Sequence, residues 1–347
     1  MRIPARLIAI AMLTTSGSLV TGLAHAAEST PQINSALDVY AKPALLVDIG
    51  AGRHLNLRCE GSGSPTVIFE SGAIADSMAW YKVQPTVAKS VRACAYDRAG
   101  YGFSDAGPLP RDVAASADDL HALIKAAHIA TPVVLVGHSL GTNIVRRYAD
   151  THAADVAALV LLDPPAQNVG EFSPQWQKTE DEGRAAGLVG IAACEKAAED
   201  MQLDPPAPGA KNCLRGPNPQ FSPALNAAQR AYKSKPGFWK TVLSVQQTNG
   251  ELFNRPVSAQ ENHGAIPLLV LAPDATNADA PAQDRKALDA ATAKTHKLIA
   301  ATSTRGKIIP IAHSSHDVQF DQPDAVANAI SEAIRSAKAQ SAAAPAH

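Results

Sequence analysis

Val133-Val134-Leu135-Val136-Gly137-His138-Ser139-Leu140-Gly141-Thr142-Asn143-Ile144 is the stretch on which the reading of this 347-residue chain turns. Val133 to Val136 are apolar and mostly β-branched, the composition of a buried strand. The run from Leu140 through Tyr148 and Ala149 reads as a helix. Between them lies Gly-x-Ser-x-Gly, so a serine sits on a sharp strand-to-helix turn. Glycines at 137 and 141 fit that geometry, because a side chain at either would collide with the neighbouring strand or helix. The turn lifts the Ser139 hydroxyl to the tip of a sheet. The helix N-terminus behind it carries partial positive charge, which favours an oxyanion. A glycine-rich turn with a chance serine is the plain alternative; the strand before and the helix after favour a nucleophile.

Working outward, Ala44-Leu45-Leu46-Val47-Asp48-Ile49 and His54-Leu55-Asn56-Leu57-Arg58-Cys59 read as two strands of a hairpin around Gly50-Ala51-Gly52. Thr66 to Glu70 is a third strand, ending in the small-residue loop Ser71-Gly72-Ala73-Ile74-Ala75; Trp80 follows inside an expected helix. Val91 to Tyr96 is a fourth strand, running into Asp97-Arg98-Ala99-Gly100-Tyr101-Gly102-Phe103-Ser104-Asp105. Residues 112–128 carry Leu120, Leu123, Ile124 and Ala127 on one helical face. After the fifth strand, at 133–136, Val156 to Leu162 is a sixth, closed by Asp163-Pro164-Pro165. Ile266 to Leu271 is a seventh and Lys307 to Ile311 an eighth, whose Pro310 demands an edge or terminal position. Helices are expected at 281–304 and 324–338. Strands alternating with helices predict a mostly parallel sheet covered on both faces, with the active site beyond the strands' C-terminal ends. From 164 to 262 the alternation stops. Prolines and glycines cluster there and short helical runs alternate with loops, which we read as an inserted lid. The core is then 27–163 plus 263–338, with a disordered tail at 339–347.

The N-terminus reads as a signal peptide over residues 1–26. Arg2 and Arg6 precede a mostly apolar stretch, and Ala24-His25-Ala26 fits a cleavage site. Thr14 to Ser18 interrupt the apolar run, which argues against a permanent membrane anchor. The expected location is periplasmic or secreted. The formal charge is −1, and loss of the two arginines takes it to −3, so no electrostatic case for nucleic acid exists. Four cysteines, Cys59, Cys94, Cys194 and Cys213, in an exported chain suggest two disulfides with three possible connectivities. Metal and cofactor signals are missing: no His/Cys cluster has zinc spacing, and no phosphate-binding glycine loop follows a strand.

Taken together, the Gly137–Gly141 turn, the Ser71-Gly72-Ala73 loop, the Tyr96–Asp105 segment and Ser315-His316-Asp317-Val318-Gln319 resemble the α/β-hydrolase superfamily over nearly all of the core, the lid excepted. The resemblance implies an eight-stranded, mostly parallel sheet with helices on both faces and a mainly helical insertion. It implies Ser139 as nucleophile and His316, directly after the last strand, as its base; His313 is the rival. Ser-Ser-His stands where Ser-Gly-His is usual. Two positions are open for the acid, after the sixth strand, as Asp163, or after the seventh, as Asp274 with Asp279 further on; Asp163 is preferred because it ends its strand directly, and Asp274 lacks the usual Gly-x-x-Asp turn. The oxyanion hole falls to the backbone N–H groups of Ala73 and Leu140. His138 is expected to shape the turn, and Asp97 and Arg98 to brace the site. Because the superfamily's second strand lies beside its fourth, the resemblance also implies Cys59–Cys94, leaving Cys194–Cys213 to staple the lid.

A serine hydroxyl needs a base to attack at neutral pH. The expectation is therefore a serine hydrolase acting on a small-molecule ester or acyl substrate through an acyl-enzyme, without cofactor. Serine at position 139 argues against the dehalogenase and epoxide-hydrolase branches of the resemblance, which carry aspartate there. A peptidase, lactonase or thioesterase, or a non-catalytic binding protein on the same scaffold, are the alternatives. An aminopeptidase would need an acidic site for its substrate's amine, for which Glu180, Asp181 and Glu182 are available.

Overall fold

A computed structural model of the chain describes residues 33–343; the expected signal peptide at 1–26 and residues 344–347 lie outside the described residues. Eight strands form one sheet: β1 Leu45–Asp48, β2 His54–Glu60, β3 Val67–Glu70, β4 Ala93–Tyr96, β5 Val133–His138, β6 Val156–Leu162, β7 Leu268–Pro273 and β8 Gly306–Ile311. Their order is β1-β2-β4-β3-β5-β6-β7-β8. β1 and β2 pair antiparallel, β2 pairs antiparallel with β4, and every later pairing is parallel. Strand β5, which leads to Ser139, is thus central, where all six of its residues are buried. Pro310 lies in β8, which pairs only with β7 at the sheet's edge, so its missing N–H interrupts no ladder.

The helices are α1 Gln84–Val87, α2 Val113–Ala126, α3 Leu140–Thr151, α4 Pro174–Glu199, α5 Pro223–Lys233, α6 Pro236–Phe253, α7 Ala282–Ala301, α8 Val318–Asp321 and α9 Pro323–Ala343. Strand alternation sends Ile68, Leu135, Leu159 and Val270 to one face, where they meet Leu120 and Leu123 of α2, Ile144 and Tyr148 of α3 and Ile299 of α7. Phe69, Val136, Val160 and Leu271 go to the other, against Val83, Val87 of α1 and Val326, Ile330 of α9. Two apolar layers therefore clamp the central strands and fix what projects from their C-terminal ends.

Three local expectations change. Trp80 lies in a 3-10 turn, Ser77–Trp80, not in a longer helix. It is buried against Phe69, with ring centroids 4.8 Å apart, and donates from Nε1 to Ser71 Oγ at 3.0 Å. The chain between β6 and β7 is helical as read, but its first helix is not short: α4 runs 26 residues, started by Ser173, whose Oγ caps the Trp176 N–H, and by Pro174. Gly183, Gly187 and Gly190 do not break it, because each faces open space and weakens the helix by only about 1 kcal/mol relative to alanine. The closing helix α9 does not stop at Lys338 but continues to Ala343, so the expected disorder from Ala339 is corrected over those residues; alanine is the strongest helix former.

Both disulfides of the expected connectivity are present. Cys59 and Cys94 are directly opposite in the β2–β4 register and bonded. Cys194–Cys213 ties α4 to the loop that follows it. Around this second bridge the insertion has its own apolar cluster, including Leu203, Tyr232, Phe238 and Trp239. Those two aromatic residues of α6 therefore serve packing.

Candidate active site

At the end of β5 the chain turns through Ser139 with φ 52° and ψ −125°, a backbone that side-chain-bearing residues rarely adopt. The space for that turn comes from its glycines. A Cβ on Gly137 would lie 2.6 Å from the Gly141 carbonyl oxygen, and one on Gly141 would lie 2.5 Å from that of Glu70. Ser139 occupies the N-cap position of α3 but its side chain caps nothing, so the hydroxyl is not engaged by its own helix. As the first residue of α3, Leu140 has no carbonyl one turn back within the helix to receive its N–H.

Strands β6 and β8 deliver the other two side chains. Asp163 follows β6 directly, with φ 43° and its N–H donated to Leu271 of β7 at 3.0 Å. Its Oδ2 accepts from His316 Nδ1 at 2.7 Å and from Thr276 Oγ1 at 2.7 Å. His296 of α7 places Nε2 3.4 Å from Oδ1. Burial opposes ionisation of Asp163, but the hydrogen bonds from His296, His316 and Thr276 outweigh it and hold the carboxyl below its usual range. His316 lies in the loop after β8 with its side chain 38% exposed. Burial disfavours its protonation, yet the hydrogen bond and negative charge of Asp163 prevail and raise its pKa above the ordinary imidazole value.

His138 joins the nucleophile turn to this loop. Its Nε2 lies 2.9 Å from the His316 carbonyl oxygen, and since a carbonyl only accepts, Nε2 carries the proton. The His138 and His316 rings are 4.7 Å apart. Burial first, and the neighbouring His316 second, push His138 down to about 4, so it remains a neutral strut at neutral pH.

On the opposite side of Ser139 lies the loop after β3. A Cβ on Gly72 would stand 3.4 Å from Ser139 Cβ and 3.1 Å from His138 Nδ1, so the loop backbone is pressed against Ser139 and its turn. Arg98 donates to the carbonyls of Ser71 and Gly72 at 2.5 Å each and of Ala73 at 3.2 Å, and the Tyr101 hydroxyl donates to Ala73 at 2.7 Å. In a trans peptide the N–H points opposite to the C=O. Fixing the Gly72 carbonyl on Arg98 therefore turns the Ala73 N–H away from it.

Arg98 is itself held by buried Glu70, with Nη1 to Oε1 at 2.6 Å, while the Tyr96 hydroxyl binds the other carboxylate oxygen. Burial raises the Glu70 pKa despite Arg98. Asp97 makes no bond to Arg98 but receives Ser77 N–H at 2.9 Å, Phe103 N–H at 3.0 Å and Asn56 Nδ2 at 2.9 Å. Both residues brace loops, in line with the structural role read for them.

Asp274, the alternative acid, accepts from the backbone N–H groups of His313 and Ser314 at 3.0 and 3.1 Å. Those bonds depress its pKa and shape the loop that carries His316; the bond to the His316 ring comes from Asp163. A cavity of about 410 Å³ is lined by Thr276, the hydrogen-bond partner of Asp163, with Trp176, Arg184, Phe253, Pro281 and Leu288. Glu180 also lines it, paired at 4.0 Å with Arg184, whereas Asp181 and Glu182 do not. Thr276 and His296 were not singled out from the sequence. Neither belongs to a local motif, and only the packing of the β7–α7 connection and α7 brings them to Asp163.

A family model described as the alpha/beta hydrolase fold matches residues 65–187, which hold the nucleophile turn, the loop after β3 and Asp163. The chain is similar to an esterase from Thermogutta terrifontis, with 20% identity, TM-score 0.55 and coverage of 85% of this chain and 99% of that one. It is also similar to the epoxide hydrolase CorEH, with 18% identity, TM-score 0.57 and coverage of 82% and 96%. Among curated proteins, an uncharacterised Bacillus subtilis protein is 31% identical over 114 residues, 33% of this chain and 45% of the relative. The matches thus span less than half the length of these curated relatives. At these identities the solved structures speak for the fold alone.

Proposed function

We propose that this chain, a member of the α/β-hydrolase superfamily, is a serine hydrolase that cleaves carboxylic esters through an acyl-enzyme. The observation that carries the proposal is the 2.7 Å bond from His316 Nδ1 to Asp163, which joins the ends of β6 and β8 across β7 on the sheet whose centre presents Ser139. That bond keeps the proton on Nδ1 and leaves Nε2 as the acceptor a serine nucleophile requires.

In the proposed reaction His316 Nε2 takes the Ser139 proton as Oγ attacks the ester carbonyl. The Ala73 and Leu140 N–H groups hold the developing oxyanion. Asp163 stabilises the imidazolium without being protonated. The imidazolium then gives its proton to the departing alcohol oxygen, the acyl group remains on Oγ, and water, activated by His316, releases the acid and restores the serine. Loss of a single oxyanion donor slows such chemistry by about 10²–10³-fold. The helices between β6 and β7 are proposed as the lid that selects the acyl group. We place the protein outside the cytoplasm, a setting with which its two disulfides are compatible.

Hydrolysis of p-nitrophenyl esters from acetate to palmitate, by the parent and by Ser139→Ala, tests the proposal. Turnover of at least one chain length that is abolished by Ser139→Ala is expected. Turnover that survives the substitution rejects Ser139 as nucleophile, and no turnover of any ester in the parent rejects carboxylic-ester cleavage.

A further inference from the structure

Asp163 is gripped from behind by a second histidine. His296 is 3% exposed on the buried face of α7, and its Nε2 lies 2.9 Å from the Pro164 carbonyl oxygen and 3.4 Å from Asp163 Oδ1. Both neighbours are acceptors, so Nε2 must carry the proton. The two oxygens of Asp163 are served unequally. Oδ2 receives Thr276 and His316 at 2.7 Å each, whereas Oδ1 is buried with no hydrogen bond of ordinary length. A buried carboxylate oxygen without a donor is unfavourable, and the His296 N–H is the polar hydrogen that faces it.

We propose that His296 is a positioning residue: its Nε2–H, shared between Pro164 and Asp163 Oδ1, locks the carboxylate toward His316 and draws off part of its negative charge, so that it sets how strongly His316 holds a proton. The inference rests on the reading of Asp163 and His316 as acid and base. The charged and titratable groups facing His316 are Asp163 from the end of β6, His138 from β5 and Asp317 from its own loop. Among these Asp163 is the one His296 touches, and His138 stays neutral. With the His296 donor gone, the full carboxylate charge falls on His316 and the imidazolium becomes more stable. The direction is therefore upward for the His316 pKa and for the acidic limb of kcat/KM.

The test follows the His316 ring carbons by NMR titration of the full chain labelled with 13C-histidine, assigned by the resonance lost in His316→Asn. His296→Leu is expected to raise the His316 pKa by about half a unit to one unit, the scale of a lost hydrogen bond to a carboxylate. His296→Gln, whose amide N–H spans the same gap, is expected to stay at the parent value. Should the leucine variant not fold, His296→Asn, too short to reach Oδ1, serves in its place. In ester assays the acidic limb is expected to move with the NMR value, with kcat lowered about three- to tenfold on that limb and KM unchanged. An unmoved His316 in His296→Leu or His296→Asn, or a glutamine variant that shifts as far, overturns the proposal. The NMR readout needs no substrate, so a failure of the ester-cleavage reading, seen with Ser139→Ala, is distinguishable from a failure of this one.

Discussion

Asp163 and His316, from the ends of β6 and β8, meet through a bond whose chemistry fixes the imidazole tautomer. Asp163→Asn keeps the shape but offers its amide to Nδ1, which selects the wrong imidazole tautomer; kcat is expected to fall about 10⁴-fold with little change in KM, measured on the best ester. The pH dependence follows from the raised His316 pKa. Activity needs the neutral ring, so kcat/KM is expected to climb with pH through a limb lying above the ordinary imidazole value of about 6.5, and an acidic limb below that value contradicts the Asp163 contact. Stability moves the other way for this group. The favourable contribution of protonated His316 is complete below its unfolded value and is lost as pH rises through the folded one. Asp163, with its lowered pKa, contributes above the ordinary carboxylate range and loses that contribution as pH falls through its folded value.

The loop after β3 and the strand before Arg98 form one unit held by buried charge. Glu70 lies at the end of β3, Tyr96 at the end of β4, and Arg98 joins them to three consecutive carbonyls of the loop after β3. Arg98→Leu strands a buried carboxylate and frees the Gly72 peptide. A loss of roughly 3–5 kcal/mol in chemical denaturation is expected, together with a fall in kcat beyond what Arg98→Lys shows. Cys59 and Cys94 close a loop with a sequence separation of 35. Replacing both by alanine is expected to lower stability by about 4 kcal/mol on the chain-entropy account, without moving the pH profile of the residual activity. Much at this scale was legible beforehand. β-branched runs announced the buried strands and Pro310 announced the edge. The length of α4 was not legible, because its glycines look like breaks unless their exposed position is known.

Over the whole molecule, local pattern was enough wherever chemistry and backbone coincide in sequence. The Gly137–Gly141 turn, Asp163 at its strand end and His316 after the last strand each carry their own signal. The supports do not. Thr276, His296 and the His138 strut act across more than 100 residues of chain, through contacts that only the packed sheet creates. Asp274, which lacks the Gly-x-x-Asp turn, has its two oxygens engaged by the backbone of the loop it shapes. The helical segment between β6 and β7 has a disulfide and an apolar cluster, so its proposed part in selecting substrates is separable from the proposed chemistry. Substitution of Trp176, which lines the same cavity as Thr276, is expected to change preference along an ester chain-length series while leaving the His316 limb in place. The most direct measurement of the central claim is reaction of the parent and of His316→Ala with a fluorophosphonate, read by intact mass and peptide mapping. One adduct on Ser139, formed rapidly in the parent and far more slowly without His316, is the predicted result. A parent that forms no adduct, or forms it on another residue, contradicts the account.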